Sequence, residues 1–143
     1  MKISLLVPFF LFFLSACALN STQEKSLNRA IIQYQNAYNK GLTILEVSLT
    51  HPCVVDAVYK DSLTLINQFI HSNISLDNYE IDHVEQSGKE MRVKLIFSCY
   101  DYDKKDPLSK KIIYALSADE GKTWFFAESR YLSQLKCNRL NVK

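Results

Sequence analysis

Residues 91–99 (MRVKLIFSC) decide the fold, because apolar and polar side chains alternate along most of this stretch. A period of two is typical of a strand that buries one face and leaves the other in water. Five side chains share the apolar face: Met91, Val93, Leu95, Phe97 and Cys99. The stretch therefore predicts a half-buried strand of an antiparallel sheet.

The flanking sequence predicts three more strands around this one. Upstream, residues 79–84 alternate in the same way, and Ser87-Gly88-Lys89 is suited to a tight turn. Downstream, a polar connector over residues 101–109 precedes a third apolar strand over residues 112–116. Trp124 and Phe126 are expected to face inward from a last strand, which completes a four-stranded meander.

Helical spacing appears only before these strands. Residues 25–40 carry one apolar stripe, and Gly41 supplies the left-handed turn that ends a helix. Residues 50–52 combine a capping hydroxyl with a proline in the first turn, which predicts a second helix running to about His71. Residues 42–49 allow either a short strand or a helical turn, and the polar residues 73–78 are expected to form a turn.

The predicted fold class is α+β. Two helices are followed by a four-stranded antiparallel meander, with the helices packed on one face of a curved sheet. This order resembles the cone of cystatin-like and ketosteroid-isomerase-like proteins, in which a sheet wraps a long helix. The resemblance implies a pocket between helix and sheet, for which His83 and Tyr114 are the candidate lining residues. Alternation places His83 on the face of Tyr79 and Asp82 on the opposite face, so Asp82 and His83 cannot act together as an acid–base pair.

One motif within the domain matches a known pattern at every fixed position. Residues 117–124 (SADEGKTW) resemble the Asp-box known from sialidases, which has the pattern S-x-D-x-G-x-T-W. Its residues in this chain are Ser117, Asp119, Gly121, Thr123 and Trp124. In sialidases the box shapes hairpins away from the catalytic centre, and a propeller needs several boxes and a much longer chain. A structural hairpin is therefore expected, with Asp119 not catalytic.

The N-terminal sequence carries the second resemblance. Twelve uncharged residues, 3–14, follow Lys2, and Leu14-Ser15-Ala16-Cys17 is similar to the bacterial lipobox. The resemblance implies a signal peptide over residues 1–16, cleavage before Cys17, and diacylglycerol and a further acyl chain (palmitate or a similar acid) on Cys17. Ala18 stands where inner-membrane lipoproteins commonly carry Asp, which implies the outer membrane.

Beyond the lipobox, the composition divides the mature chain into two parts. Residues 17–25 are small and polar and predict a lipidated flexible tether, and residues 26–143 predict a single α+β domain. The formal net charge of the whole chain is +2, without a basic block or an acidic tail. This balance argues against nucleic acid as a partner.

Three cysteines follow Cys17, and an oxidising compartment favours one disulfide with one thiol left over. In a meander, Cys99 ends the second strand at the same end of the sheet as the end of the fourth. A tail folding back could then bring Cys137 to it, so a Cys99–Cys137 disulfide is preferred, although pairings with Cys53 stay open.

The remaining candidates for chemistry are weak. Asp101, Asp103 and Asp106 suggest a calcium loop, but Lys105 and Asp106 occupy the fifth and sixth positions, where an oxygen ligand and glycine are needed. Neither a cofactor nor a metal is expected. We expect a non-catalytic outer-membrane lipoprotein, facing the periplasm or the cell surface, that binds an envelope protein or small ligand. The alternatives are a ketosteroid-isomerase-like enzyme or small-ligand binder, and an enzyme inhibitor.

Overall fold

A computed structural model describes residues 18–58 and 74–135 of the chain. Its elements run in the order α1 (Ser21–Lys40), α2 (Thr43–Leu49), α3 (Pro52–Val58), β1 (Ile74–Ser87), β2 (Glu90–Asp101), β3 (Asp106–Ser117), β4 (Phe125–Glu128) and a 3₁₀ helix (Ser129–Leu135). The strands form one antiparallel sheet in the order β1-β2-β3-β4. The α+β class and the four-stranded meander are therefore confirmed.

The main core lies between α1 and one face of the sheet. All five apolar positions of residues 91–99 are buried, so the alternation predicted this face of β2 correctly. Leu27, Ile31 and Tyr34 of α1 pack against them, and the ring of Tyr34 stacks on that of Phe126 at a centroid distance of 4.5 Å. Burying a large apolar side chain stabilises a fold by roughly 1.5–3 kcal/mol, so this layer is the principal source of stability.

Helix α1 begins earlier than the apolar stripe indicates. Asn20 is its N-cap: the Asn20 side chain accepts a hydrogen bond from the Gln23 amide (2.8 Å), and the Gln23 side chain accepts one from the Asn20 amide (3.0 Å). This capping box supplies partners for two amides that a helix start leaves unsatisfied. The expected flexible tether over residues 17–25 is therefore wrong for residues 21–25, which are helical. The C-terminal prediction is confirmed, because Gly41 is left-handed with φ 62°.

The later helices also differ from expectation. Residues 42–49, which allowed a strand or a helix, contain α2, and the second predicted helix is described only as α3, its remainder lying outside the described residues. Val54 of α3 packs with Leu116 and Ala127, whose side chains alternate away from the α1 side of the sheet. The expectation that all helices pack on one face is therefore wrong, because β3 and β4 present apolar side chains on both faces.

Strand β1 begins at Ile74, so the predicted turn over residues 73–78 is wrong from Ile74 onward. Leu76 is buried, and its backbone exchanges two hydrogen bonds with the Asn39 side chain (2.7 and 2.8 Å). The Gln35 side chain donates to the carbonyls of Leu76 and Asp77. These amide side chains of α1 hold polar residues in an extended strand that their composition alone disfavours.

The predicted Cys99–Cys137 disulfide is wrong, because Cys99 is a free, buried thiol. Cys99 lies on the core face of β2, packed among apolar side chains. Burial raises the pKa of this thiol. Cys53 is disulfide-bonded, and its partner lies outside the described residues.

Replacing the N-cap residue should weaken α1. We expect Asn20→Ala to lower the free energy of unfolding by about 1 kcal/mol, since the Gln23 amide loses its side-chain acceptor. Asn36→Ala, at an exposed position in the middle of the same helix, is the matched control and should be neutral or slightly stabilising. Urea unfolding measures both, and equal effects of the two substitutions would contradict the capping role.

The state of Cys99 can be tested by alkylation without reductant. Iodoacetamide should leave Cys99 unmodified in the folded protein, because the thiol is buried and its raised pKa disfavours the thiolate. In denaturant Cys99 should become labelled, while Cys53 stays unlabelled until the disulfide is reduced. Peptide mass spectrometry distinguishes these outcomes. A Cys99 that resists alkylation in denaturant would contradict its assignment as a free thiol.

Candidate functional site

The Asp-box residues form one tight loop between β3 and β4. The Asp119 carboxylate accepts hydrogen bonds from the Thr123 amide (2.8 Å), the Lys122 amide (3.1 Å) and the Ser117 hydroxyl (2.8 Å). The Ser117 hydroxyl in turn accepts from the Gly121 amide at 2.9 Å. Gly121 has φ 82°, a left-handed conformation that suits glycine. The loop is thus organised around one carboxylate.

The same hydrogen bonds set the ionisation of Asp119. Burial opposes the charged form, but the bonds from Thr123, Ser117 and Lys122 outweigh it and hold the pKa of Asp119 below its ordinary value. An acid that is already ionised and fully engaged with its own loop has no proton to donate at neutral pH. Its geometry fits a structural role.

The loop is fastened to the first turns of α1. The Gln23 side chain donates to the Glu120 carbonyl (3.0 Å), and the Ser26 hydroxyl donates to the Lys122 carbonyl (3.1 Å). A Cβ at Gly121 would lie 3.0 Å from both Gln23 Cγ and Trp124 Cζ2, so glycine permits the close approach. Gln23 therefore caps α1 with its oxygen and binds the loop with its nitrogen.

A groove of about 470 Å³ lies where α1 and this loop meet. Its wall on the α1 side includes Lys25 and Arg29, which are four residues apart and so share one side of the helix. The opposite wall carries Lys122 of the loop. The full set of lining residues is Thr22, Lys25, Ser26, Arg29, Ala30, Gln33, Leu49, Lys122, Thr123 and Trp124.

The charged side chains that line the groove are all cationic. Lys25, Arg29 and Lys122 are exposed, none of them forms an ion pair within residues 18–58 and 74–135, and no acidic residue lines the groove. Trp124 is 3% exposed, and its indole N–H finds no acceptor in the described parts of the chain. Three cations around a partly apolar cleft favour an anionic ligand.

A second polar cluster lies at the other end of α1. Lys111 Nζ is 2.9 Å from Glu128 Oε1 and 3.0 Å from the Tyr38 hydroxyl, and Arg130 pairs with the other Glu128 oxygen at 2.8 Å. Burial alone would lower the pKa of Lys111, but Glu128 and Tyr38 outweigh it and raise that pKa. Burial also raises the pKa of Tyr38. A charged lysine and a protonated tyrosine make this a structural ion-pair cluster rather than a nucleophile.

The predicted pocket residues His83 and Tyr114 do not line the groove. A bulge between Ile81 and His83 changes the register, so that His83 is opposite Lys94, whose other neighbour is Tyr114. His83 therefore lies on the sheet face away from α1, 60% exposed and 3.4 Å from Glu85. The expectation that His83 shares the face of Tyr79 is wrong, because alternation assumes an unbroken ladder.

The acidic connector and His51 also have local structural roles. Asp101 accepts hydrogen bonds from the amides of Asp103 and Lys104, which closes the turn between β2 and β3. The buried ring of His51 accepts from the Cys53 amide through Nδ1 (3.2 Å), which caps α3, and burial lowers the pKa of His51. Within the described residues, no group of three or more His, Cys, Asp or Glu side chains could hold a metal ion.

No local pattern in the sequence predicts the groove. The spacing of Lys25 and Arg29 is a usable signal, but the sequence pattern places Lys25 at the end of a tether and Arg29 in a helix and indicates no partner for either. Lys122 comes from a loop more than ninety residues later, and only the packing of that loop on α1 completes the set.

Two comparisons with known proteins bear on identity. Neither protein-family models nor curated protein sequences match this chain. In the described residues, no helix has both the length and the apolar character needed to cross a bilayer.

The stability contributed by the Asp119 loop should depend on pH. Because the folded-state pKa of Asp119 is lowered, its contribution is fully present above the unfolded pKa of about 3.9 and is lost as pH falls through the folded value. We expect Asp119→Ala to lower the free energy of unfolding by about 2 kcal/mol at pH 7, since a charged acceptor with several donors is removed.

The free energy of unfolding should differ less between wild type and Asp119→Ala as the pH is lowered from 7 toward 3. Urea unfolding measures this free energy across the pH range. Glu90→Gln, which neutralises an exposed carboxylate in the β1–β2 hairpin, is the control. If the free energies of unfolding of wild type and Asp119→Ala differ by the same amount at every pH, the assigned role of the carboxylate charge is contradicted.

Proposed function

We propose that this chain is a lipoprotein of the bacterial outer membrane, acylated at Cys17, whose domain is a non-catalytic binding module held against the bilayer. The lipobox at residues 14–17 supports the acylation. Two or more acyl chains hold a protein stably on a membrane, whereas a single chain binds only marginally. Ala18, in the place of an Asp, supports the outer membrane as the destination.

The observation that carries the proposal is the short connection between Cys17 and the folded domain. Leu19 packs against the main core and Asn20 caps α1, so Ala18 alone separates Cys17 from a packed residue. The three residues 17–19 span at most about 10 Å even when fully extended. An acylated Cys17 would therefore keep the start of α1, and the Asp-box loop bound to it, close to the lipid headgroups.

The side chains between α1 and the sheet, and those that line the groove, favour binding over catalysis. A ketosteroid-isomerase-like enzyme needs a carboxylate or histidine inside an apolar pocket between helix and sheet. In the described part of the chain, that layer is filled by large buried side chains, including Tyr34, Phe97 and Phe126. The open groove instead presents cations and hydroxyls beside apolar surface, and these groups can recognise a ligand. No observation favours the enzyme-inhibitor alternative.

Acylation can be tested by metabolic labelling with radioactive palmitate in a bacterial host. The full-length chain should incorporate label and fractionate with outer membranes, and Cys17→Ser should incorporate none. Cys99→Ser is the matched control, because it removes a buried thiol and leaves the lipobox intact. Label retained in Cys17→Ser, or absent from the wild type, would contradict the proposal.

A further inference from the structure

We infer that the groove between α1 and the Asp-box loop binds the phosphate of an anionic lipid headgroup in the membrane that holds Cys17. This inference rests on the proposed acylation of Cys17. It adds a ligand class, glycerophospholipids whose headgroup has a net negative charge, and assigns the groove cations as its binding residues.

The charge and geometry of the groove fit a phosphate. Lys25 and Arg29 stand one helical turn apart, and Lys122 faces them from the loop. Charge-assisted hydrogen bonds from Arg and Lys to phosphate oxygens are stronger than neutral ones, and arginine matches phosphate in a bidentate fashion. None of the three cations has an ion-pair partner in the described ranges, so a phosphate would displace no internal salt bridge.

The uncharged lining fits the rest of a headgroup. Ala30, Leu49 and the Trp124 ring give the groove apolar surface beside its cations. Trp124 is 3% exposed and its indole N–H is buried, so the ring adds apolar surface to the lining rather than a donor for the ligand. The Ser26 hydroxyl already donates to the Lys122 carbonyl, so the donors left for a ligand are the three cations and the Thr22 hydroxyl.

Position distinguishes a lipid from a free phosphate as the ligand source. Along α1, at 1.5 Å per residue, Lys25 and Arg29 lie roughly 8 and 14 Å from Asn20. Both cations therefore lie within the first three turns of α1, close to the proposed anchor. Because the anchor holds the groove at the membrane, headgroups reach a high effective concentration there, which a dissolved phosphate does not match.

The acidic residues near the groove do not cancel this attraction. Asp119 and Glu120 precede Lys122 in the loop, but the Asp119 carboxylate is turned inward onto Ser117 and the backbone amides of the loop. Glu24 is exposed on α1, and neither it nor Glu120 is a lining residue. The groove therefore stays positive although the whole chain has a net charge of only +2.

The sole tryptophan of the chain lines the groove, so intrinsic fluorescence reports on this site directly. The full acylated protein in neutral detergent micelles is titrated with dihexanoyl phosphatidylglycerol, dihexanoyl phosphatidylcholine or inorganic phosphate. We expect a saturable change with phosphatidylglycerol at a concentration about tenfold or more below that needed with phosphate, and none with phosphatidylcholine.

Charge variants connect the signal to the proposed residues. The triple variant Lys25→Gln, Arg29→Gln and Lys122→Gln should weaken the response by about tenfold or more, since charged hydrogen bonds are removed. A matched triple variant, Lys40→Gln, Lys104→Gln and Lys110→Gln, removes the same charge from exposed positions outside the groove and should respond as wild type does. Circular dichroism checks that both variants keep their fold.

Several outcomes would overturn the inference. Equal sensitivity to inorganic phosphate and phosphatidylglycerol would mean that the groove recognises a free anion. Equal weakening in both triple variants would mean that net charge alone attracts the lipid. No response to any probe in protein that carries palmitate would reject the inference and leave the proposed function standing. Failure of the palmitate experiment would reject the proposed function itself, so the two failures are distinguishable.

Discussion

The packing of the α1 apolar stripe on the alternating face of β2 and β3 is the constraint on which the rest of the structure depends. It buries Leu27 and Ile31 completely and stacks Tyr34 on Phe126 of β4. A helix laid along a sheet in this way has its direction and rotation set by side-chain fit. The start of α1 therefore comes to lie at the β3–β4 loop, and its end lies beside Leu76 of β1.

Polar contacts at both ends of α1 then make that position specific. At the start, Gln23 uses its two side-chain atoms for two purposes, helix capping and attachment to the loop at Glu120. At the end, Asn39 donates a hydrogen bond to the Leu76 carbonyl, which the apolar layer would otherwise leave without a partner. Lys111 lies between Tyr38 and Glu128 and contacts both. Such bonds add little net stability each, but leaving one partner buried alone is costly. They thus disfavour alternative placements of the helix.

This arrangement converts a hairpin motif into one wall of the groove. Asp119 organises its own loop, and the rigid loop presents Lys122 toward α1. The carboxylate that gives the motif its name is fully engaged in hydrogen bonds within the loop, whereas the cation Lys122 lines the groove. The early start of α1 has a parallel effect, because it shortens the connection to Cys17 and brings the groove close to the proposed anchor.

The sequence by itself determined the α+β class, the core face of β2 and the end of α1 at Gly41, because these follow from local periodicity and from the conformational freedom of one residue. Tertiary structure alone decided the features that join distant segments. The bulge before His83 turned that side chain away from the core, amide side chains of α1 extended β1 to Ile74, and Cys99 was left as a buried thiol. The groove likewise needs Lys25 and Lys122 side by side. A period in the sequence reports which face of an element is apolar, whereas a ladder defect or a meeting of distant residues depends on how the elements pack, which no local pattern encodes.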